Sequence, residues 1–334
     1  MRKVYILGSG ASAGYDKSNV GLHSPTAKDF FQKFMYLIDN NYLERDQFKN
    51  LFDFLRKYYF FGESSLRNKE LDIEEVLTIL DLEPDDSEFQ QARNELIEMI
   101  FLTLNKILYG ERCPYHKKLA ENLEPSDTVI TFNWDLLLDN VLAENANINY
   151  SGHFARFYRN GRWCNNNMYT GVKLLKLHGS LNWMFCKSCR RNYCYILSGK
   201  VGADQIVNPE DPRTKCPQCA RQMKPIIIPP TLAKQYKNEL LDELWQEALV
   251  KLKDADEIII IGYSLPVTDF KAKWLFMKSV AMRQNQLNKL TVVDKYLNDN
   301  LKRKFKSIFK VRNNQFNGIR GEIKDYIDAS SKIL

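Results

Sequence analysis

The sequence predicts an α/β fold built on a parallel sheet, and three observations lead to this prediction. Short apolar runs of strand length recur along the 334 residues and are separated by segments with helical spacing of apolar residues. The runs show little alternation, as is typical of strands covered on both faces. Each run also ends in small or polar residues. The predicted strands are Val4–Leu7, Thr128–Phe132, Leu174–Leu177, Ile258–Ile261 and Leu290–Val293.

The helical patterns define the expected domain organisation. The block from Pro25 to Leu123 is too long for one crossover, so we interpret it as a helical insertion between the first two strands. The predicted helices are Asp29–Ile38, Asp46–Phe60, Ile73–Leu80, Glu88–Leu108, Asn238–Leu252, Phe270–Met282 and Leu297–Phe309. We expect a Rossmann-like domain of residues 1–185 and 220–334, an insertion at 25–123, and a small module at 186–219.

Composition limits the functional classes. The chain is 44% hydrophobic, which allows a sizeable core, and its net charge of +7 is a mild excess. Much of that excess lies in Leu301–Arg312, which is either the solvated face of an amphipathic helix or a contact for nucleic acid. No run approaches the roughly 18 apolar residues of a membrane span, and the amino terminus lacks a signal-peptide pattern. We therefore expect no membrane association and a cytoplasmic location.

The glycine-rich segment after the first strand predicts a tight turn suited to a phosphate. Gly8-Ser9-Gly10-Ala11-Ser12 begins a G-x-G-x-x-x-G pattern. Glycines let backbone N–H groups approach a phosphate, and a helix starting there adds its positive end. The pattern is one residue longer than the usual dinucleotide fingerprint, and no strand-terminal acid follows about 20 residues on. This departure argues against an ordinary hydride-transferring dehydrogenase, and a tight turn without a ligand is the alternative.

Polar residues that follow the other strands are expected to converge on one crevice. Asn133 and Asp135 follow the second strand, His178 the third, Gly262-Tyr263-Ser264 the fourth and Asp294 the fifth. Ligands bind at the carboxyl ends of strands in open parallel sheets. Structural alternatives stay open: Asn133 and Asp135 are good helix N-caps, His178 can be a packed histidine, and Asp294 can be a turn residue.

Four cysteines predict a structural zinc site. Cys186, Cys189, Cys216 and Cys219 form two C-x-x-C pairs, and four thiolates close a tetrahedral site with no open position. Seven cysteines, an odd number, fit a reducing compartment with a metal better than a disulfide framework. Cys194 is a candidate substitute ligand.

Taken in order, these motifs resemble those of the sirtuin family, specifically its prokaryotic sirtuin-like branch. The loop Gly8–Ser12 is similar to the family's first nucleotide motif, and "TFNWD" at 131–135 to its T-x-N-x-D. "LHGSLNW" at 177–183 carries the His-Gly pair, and the cysteine pairs follow as in the sirtuin zinc module. "GYSLPVTD" at 262–269 is typical of the sirtuin-like branch. The resemblance implies a sirtuin-type Rossmann-like sheet, and it leaves the helical insertion uncovered.

The resemblance also implies NAD as the ligand and cleavage of its nicotinamide–ribose bond. In that case Asn133 would hold the ribose and an attacking water, and His178 would act as general base. Asp135 would position the nicotinamide carboxamide. The implied NAD-binding residues are Gly8, Ser9, Gly10, Ala11, Ser12, Asp135, Gly262, Ser264 and Asp294.

The segment after the zinc module favours water as the acceptor. Deacylases of the family carry there a V-x-F-G-E-type strand that pairs with an acyl-lysine peptide, whereas this chain reads "MKPIIIPPTLAK" at 223–234. Pro229 and Pro230 cannot donate backbone hydrogen bonds. We therefore expect an NAD glycohydrolase, an activity that in this branch commonly serves antiviral defence. The alternatives are an NAD-dependent protein deacylase, a non-catalytic sensor of NAD or ADP-ribose, and a nucleic-acid-binding zinc protein.

Free hydrolysis of NAD would be toxic, so the resemblance also implies control of the activity. We expect a homo-oligomer or a defence partner such as an ATPase, with the helical insertion as the contact surface.

Overall fold

The predicted strands lie side by side in one parallel sheet. This computed structural model describes residues 1–144, 147–151, 154–159, 161–165, 171–196, 214–228 and 239–331. In spatial order, the main sheet consists of β12 (Phe316–Arg320), β11 (Lys289–Asp294), β10 (Glu257–Ile261), β1 (Lys3–Leu7), β2 (Thr128–Thr131), β6 (Val172–Lys176) and β3 (Ile148–Asn149). Every pairing among them is parallel. The predicted α/β fold is confirmed, and the described chain adds β12 and β3 at the two edges.

The central strands are apolar because helices cover both faces of the sheet. All five residues of β10 are buried, and Ile6 of β1 lies opposite Ile260 on one side and Ile130 on the other. The described helices are α1 (Ser9–Ser12), α2 (Phe30–Asp39), α3 (Lys49–Tyr58), α4 (Glu63–Asn68), α5 (Ile73–Leu80), α6 (Ser87–Leu108), α7 (Pro114–Glu121), α8 (Leu137–Glu144), α9 (Glu239–Asp254), α10 (Phe270–Ala281), α11 (Asp299–Phe309) and α12 (Ile323–Ser331). Helices α7 to α12 contribute buried side chains to the core of this sheet.

A second sheet, which the sequence analysis does not predict, continues directly from the first. Its strands, in spatial order, are β5 (Arg162–Cys164), β4 (Phe154–Arg159), β8 (Arg191–Tyr195), β7 (Gly179–Cys186) and β9 (Lys224–Ile227). Only Leu177 and His178 separate β6 of the main sheet from β7 of the small sheet. His178 therefore stands at the junction of the two sheets.

The insertion helices share a hydrophobic core with the small sheet. Phe34, Leu55 and Ile100 of the insertion belong to the same buried cluster as Met184 and Tyr193 of the small sheet. Helix α7 lies within the predicted insertion but packs on the main-sheet core instead. The insertion and the cysteine-bearing sheet are thus joined by packing, and the domain boundaries stated above stay a prediction because part of 186–219 lies outside the described residues.

The basic run at 301–312 forms the amphipathic helix α11. Phe305 and Phe309 are buried, while Lys302 and Arg303 bond Asp299 and Asn300 on the solvent side. None of the helices in the described ranges is long and apolar enough to cross a membrane.

Two glycine turns bring the ends of β1 and β10 into backbone contact. The Gly10 N–H donates to the Gly262 carbonyl at 2.9 Å. Gly262 has a φ of +61°, and a Cβ on it would lie 2.2 Å from the Ala11 nitrogen. A side chain at this position would therefore strain the backbone of Gly262 and collide with the backbone atoms of Gly10 and Ala11.

We predict that Gly262→Ala lowers the free energy of unfolding by about 3 kcal/mol or more, because it adds a backbone clash to the strain of a positive φ. Chemical denaturation measures the effect. Gly21→Ala is the matched control, since Gly21 has a φ of +72° but open space around it, and it should cost only about 1 kcal/mol. Equal losses of unfolding free energy in the two variants would contradict the predicted backbone clash.

Candidate functional site

A cavity of about 1190 Å³ opens at the carboxyl ends of the main-sheet strands. Nearly all of the predicted site residues line it, namely Gly8, Ser9, Gly10, Ser12, Asn133, Asp135, His178, Gly262, Ser264 and Asp294. Ala11 is buried beneath the loop and does not line the cavity. The convergence of strand ends explains the assembly, since every strand of the sheet runs in the same direction.

The backbone of the glycine loop is largely satisfied by the protein itself. The Gly8 N–H donates to the Ile261 carbonyl at 3.1 Å, and the Ala11 N–H donates to the Gly8 carbonyl at 2.9 Å. With Gly10 bonded to Gly262, three of the amides expected to face a phosphate are engaged in holding the turn. Ser9 is exposed to the cavity and offers its hydroxyl.

Asn133, Ser12 and Asp135 form a hydrogen-bonded group on the cavity floor. Asn133 Nδ2 donates to the Gly8 carbonyl at 2.9 Å and to Ser12 Oγ at 3.1 Å, and Ser12 Oγ donates to Asp135 Oδ2 at 2.7 Å. No described residue donates to Asn133 Oδ1, so this oxygen is available to a ligand. Asp135 Oδ1 accepts from the Leu137 N–H at 3.0 Å, so Asp135 caps α8 as well as holding Ser12.

His178 is buried at the junction of the two sheets, beside a carboxylate that the site prediction omitted. The residue is 4% exposed, and its ring lies edge-on to Phe132, with centroids 5.0 Å apart. Nε2 is 3.6 Å from Asp269 Oδ2. Burial lowers the pKa of His178 below its usual 6.5, and nearby Lys271 lowers it further, although Asp269 opposes both effects. The imidazole is therefore neutral near pH 7.

Asp269 is fixed by several elements at once. It accepts hydrogen bonds from the Tyr263 hydroxyl at 2.5 Å and from the Ala272 N–H at 3.1 Å, which makes it the N-cap of α10. The sequence signal was its place just before a predicted helix. That signal indicates a cap, and only the fold shows that the same carboxylate faces His178.

A buried polar network lies behind the cavity floor and was also missed. Lys176 is fully buried and pairs with Asp139 at 3.0 Å, and Asp139 accepts from the Tyr150 hydroxyl at 2.6 Å. Asn182 donates to the Tyr150 oxygen at 3.0 Å. Lys176 Nζ also donates to the Asp135 carbonyl, which anchors the loop that carries Asn133. In the sequence, this network was indicated by Lys176, a lysine inside the apolar run Leu174–Leu177.

The far end of the cavity is built by the loops after β10 and β11. Asp294, the last residue of β11, accepts through Oδ1 from the Tyr296 N–H at 2.8 Å and so holds the turn that follows, and burial raises the pKa of its carboxyl group. Lys304 donates to the Ser264 carbonyl at 2.9 Å. The NAD contacts expected of Ser264 and Asp294 stay a prediction.

The four cysteines come together at the end of the small sheet. Their Sγ atoms all lie within 4.8 Å of one another, with Cys186 to Cys219 at 3.6 Å and Cys189 to Cys216 at 3.8 Å. Sulfurs bound to one tetrahedral zinc at about 2.3 Å would be about 3.8 Å apart. The cluster is therefore compatible with a structural zinc. Cys194 is buried in β8 and lies outside it.

The model of the Sir2 family matches residues 166–269 of this chain. This range contains His178, the four cysteines, Gly262 and Ser264, whereas the glycine loop and Asn133 precede it. The chain is sirtuin-like over this range, as the motifs predicted, and sirtuins use NAD. No curated protein matches the chain.

Solved Sir2 structures also align with the chain. One is described as "Structural Basis for the Mechanism and Regulation of Sir2 Enzymes", with 18% identity, a TM-score of 0.47 and coverage of 99% of this chain and 92% of that one. A Sir2 homologue mutant in complex with 2'-O-acetyl ADP ribose has 15% identity, a TM-score of 0.48 and coverage of 99% and 91%. A Sir2–p53 peptide–NAD+ structure has 15% identity, a TM-score of 0.44 and coverage of 99% and 92%.

We predict that the purified protein contains about one zinc per chain, and that Cys216→Ser removes it and lowers Tm by about 5 °C or more, because metal binding free energy is folding free energy. Elemental analysis and thermal melting measure both quantities. Cys164→Ser is the control, since Cys164 lies in β5 outside the cluster. Unchanged zinc content in Cys216→Ser would contradict the assignment.

Proposed function

We propose that this chain is an NAD glycohydrolase, which cleaves the nicotinamide–ribose bond with water as the acceptor. The observation that carries the proposal is the pairing, in one cavity, of a free amide oxygen on Asn133 with the neutral, buried imidazole of His178. The Sir2-family match around His178 supports NAD as the substrate.

The residues suit a reaction in which positive charge develops on a sugar. The C1′–N bond breaks, its electron pair leaves with nicotinamide, and the ribose passes through an oxocarbenium-like state. Asn133 Oδ1 orients a water whose oxygen bonds to C1′. His178 takes the water proton, directly or through a ribose hydroxyl, and passes it to solvent. The products are nicotinamide, ADP-ribose and one proton.

Water is favoured over a peptide by β9, the strand that pairs with the start of β7 next to His178. β9 is an edge strand of four residues among the described strands, and Pro225 within it has no N–H to donate. The Ile228 N–H is already bonded to the His178 carbonyl at 2.9 Å. Pro229 and Pro230, on which the sequence argument rested, lie outside the described residues.

An NAD-dependent deacylase is the second candidate, since an edge strand beside His178 can in principle accept a peptide by strand addition. In either case NAD is consumed. Depletion of NAD in the cytoplasm during antiviral defence, held in check by a homo-oligomer or an ATPase partner, is the role that the sirtuin-like resemblance suggests. A sensor would bind NAD without turnover, and a nucleic-acid-binding protein would show strongly salt-dependent affinity.

We predict that the protein releases nicotinamide from NAD in the absence of peptide, and that Asn133→Ala and His178→Ala each lower the rate about 100-fold or more. Chromatography of nicotinamide measures the rate. Asn68→Ala is the control, because Asn68 is exposed at the end of α4 and does not line the cavity. Release that requires an acyl-lysine peptide would indicate the deacylase, and binding of NAD without release would indicate the sensor.

The pH profile tests the role of His178. A general base must be deprotonated, and burial lowers the pKa of His178 below 6.5. We therefore expect kcat, measured with saturating NAD+, to stay level as the pH falls through 6.5 and to drop only at lower pH. Asp269→Asn keeps the helix cap but removes the charge that raises this pKa, so the drop should move to still lower pH. A drop that begins above pH 6.5, or that moves upward in the variant, would contradict this role.

A further inference from the structure

The helical insertion contributes acidic side chains to the wall of the cavity, and Glu74 is one of them. Glu74 occupies the first turn of α5 and lines the cavity together with Asp72 and His178. The start of α5 is fixed, because Asp72 accepts from the Glu74 N–H at 2.9 Å and the Ile73 N–H donates to the Ala27 carbonyl at 3.0 Å. The position of Glu74 is therefore set by backbone bonds and not by its own side chain.

The carboxyl group of Glu74 has no compensating partner in the described part of the chain. No described donor bonds to it, and the charged groups that act on it are the carboxylates of Asp72 and Asp269. The charge of Glu74 also acts on Tyr263, whose hydroxyl donates to Asp269. Desolvation and these two carboxylates together raise the pKa of Glu74 to about 8. An acid held in this way ionises readily only when a cation arrives beside it.

Resting on the proposed function, we infer that Glu74 is a selectivity residue that recognises the positive charge of the oxidised nicotinamide ring. NAD+ carries that charge, whereas NADH and ADP-ribose do not. Asp135 and Asn133 line the same cavity, and Asp269, whose charge acts on Glu74, lies 3.6 Å from His178. A carboxylate here would favour the oxidised ligand and the cationic sugar that follows from it.

Proton release on binding tests this inference without turnover. The probe is the carbocyclic analogue of NAD+, whose nicotinamide bond resists hydrolysis, and the control ligand is ADP-ribose. Calorimetry at pH 7 in buffers of different ionisation enthalpy should show release of up to about one proton per site with the cationic analogue and almost none with ADP-ribose. Glu74→Gln should abolish the release and weaken the analogue about fivefold, with ADP-ribose affinity unchanged.

The matched control is Glu75→Gln, since Glu75 is the next residue on the same helix, is exposed and does not line the cavity. It should behave as wild type. Persistent proton release in Glu74→Gln, or equal weakening of both ligands, would overturn the inference. Proton release without nicotinamide release from NAD would support the inference about Glu74 and contradict the proposed hydrolysis. Hydrolysis of NAD without Glu74-dependent proton release would overturn the inference and support the proposed hydrolysis.

Thermal melting checks that Glu74→Gln folds and gives a second readout. A carboxyl whose pKa is raised from 4.5 to about 8 binds its proton more tightly in the folded state. Stability that depends on it therefore falls as the pH rises through this interval. The Tm of Glu74→Gln minus the Tm of wild type should therefore be more positive at pH 9 than at pH 5. A difference in Tm between variant and wild type that is the same at both pH values would contradict the raised pKa.

Discussion

The turns after β1 and β10 lie backbone against backbone, and the floor of the site depends on this contact. The Gly8 N–H donates to the Ile261 carbonyl and the Gly10 N–H to the Gly262 carbonyl, and the Gly8 carbonyl in turn accepts from the Asn133 side chain at 2.9 Å. A side chain in this contact would push the turns apart and release Asn133. The glycines that suggest a phosphate loop are thus already required by packing, before any ligand is considered.

Burial gives the cavity its electrostatic character. It favours the neutral forms of His178 and Glu74, which line the cavity, while Lys176 and Asp139, both buried behind the floor, are paired with each other at 3.0 Å. Removing one partner of such a pair typically costs about 3–5 kcal/mol. The site therefore combines a buried supporting pair, Lys176 and Asp139, with His178 and Glu74, whose protonation responds to the bound ligand.

The second core connects regions that are far apart in the sequence. Insertion helices and the small sheet bury one continuous apolar cluster. Cys186 and Cys216 of the cysteine cluster and Ile73 of α5 all belong to it. A structural metal at one end of this body would stabilise the wall that carries Glu74 at the other. The insertion is therefore part of the site and not only an appendage to it.

Much of this architecture could be predicted from residue patterns. Uninterrupted runs such as "IIII" at 258–261 indicate buried parallel strands, and parallel strands place Asn133, His178 and Gly262 at one edge. The C-x-x-C pairs likewise indicate a metal cluster, because thiolate spacing is a local property. The small sheet was missed, since β7 reads "GSLNWMFC" with buried polar residues that satisfy one another only after folding.

The sequence by itself determined the sheet, the order of its polar strand ends and the pairing of the cysteines, because each follows from local periodicity or spacing. Only the tertiary structure decided which groups face one another. Asp269 meets His178, Lys176 meets Asp139, and Glu74 reaches the cavity through contacts between residues tens to about two hundred positions apart. Burial and pKa depend on those contacts, and no local pattern encodes them.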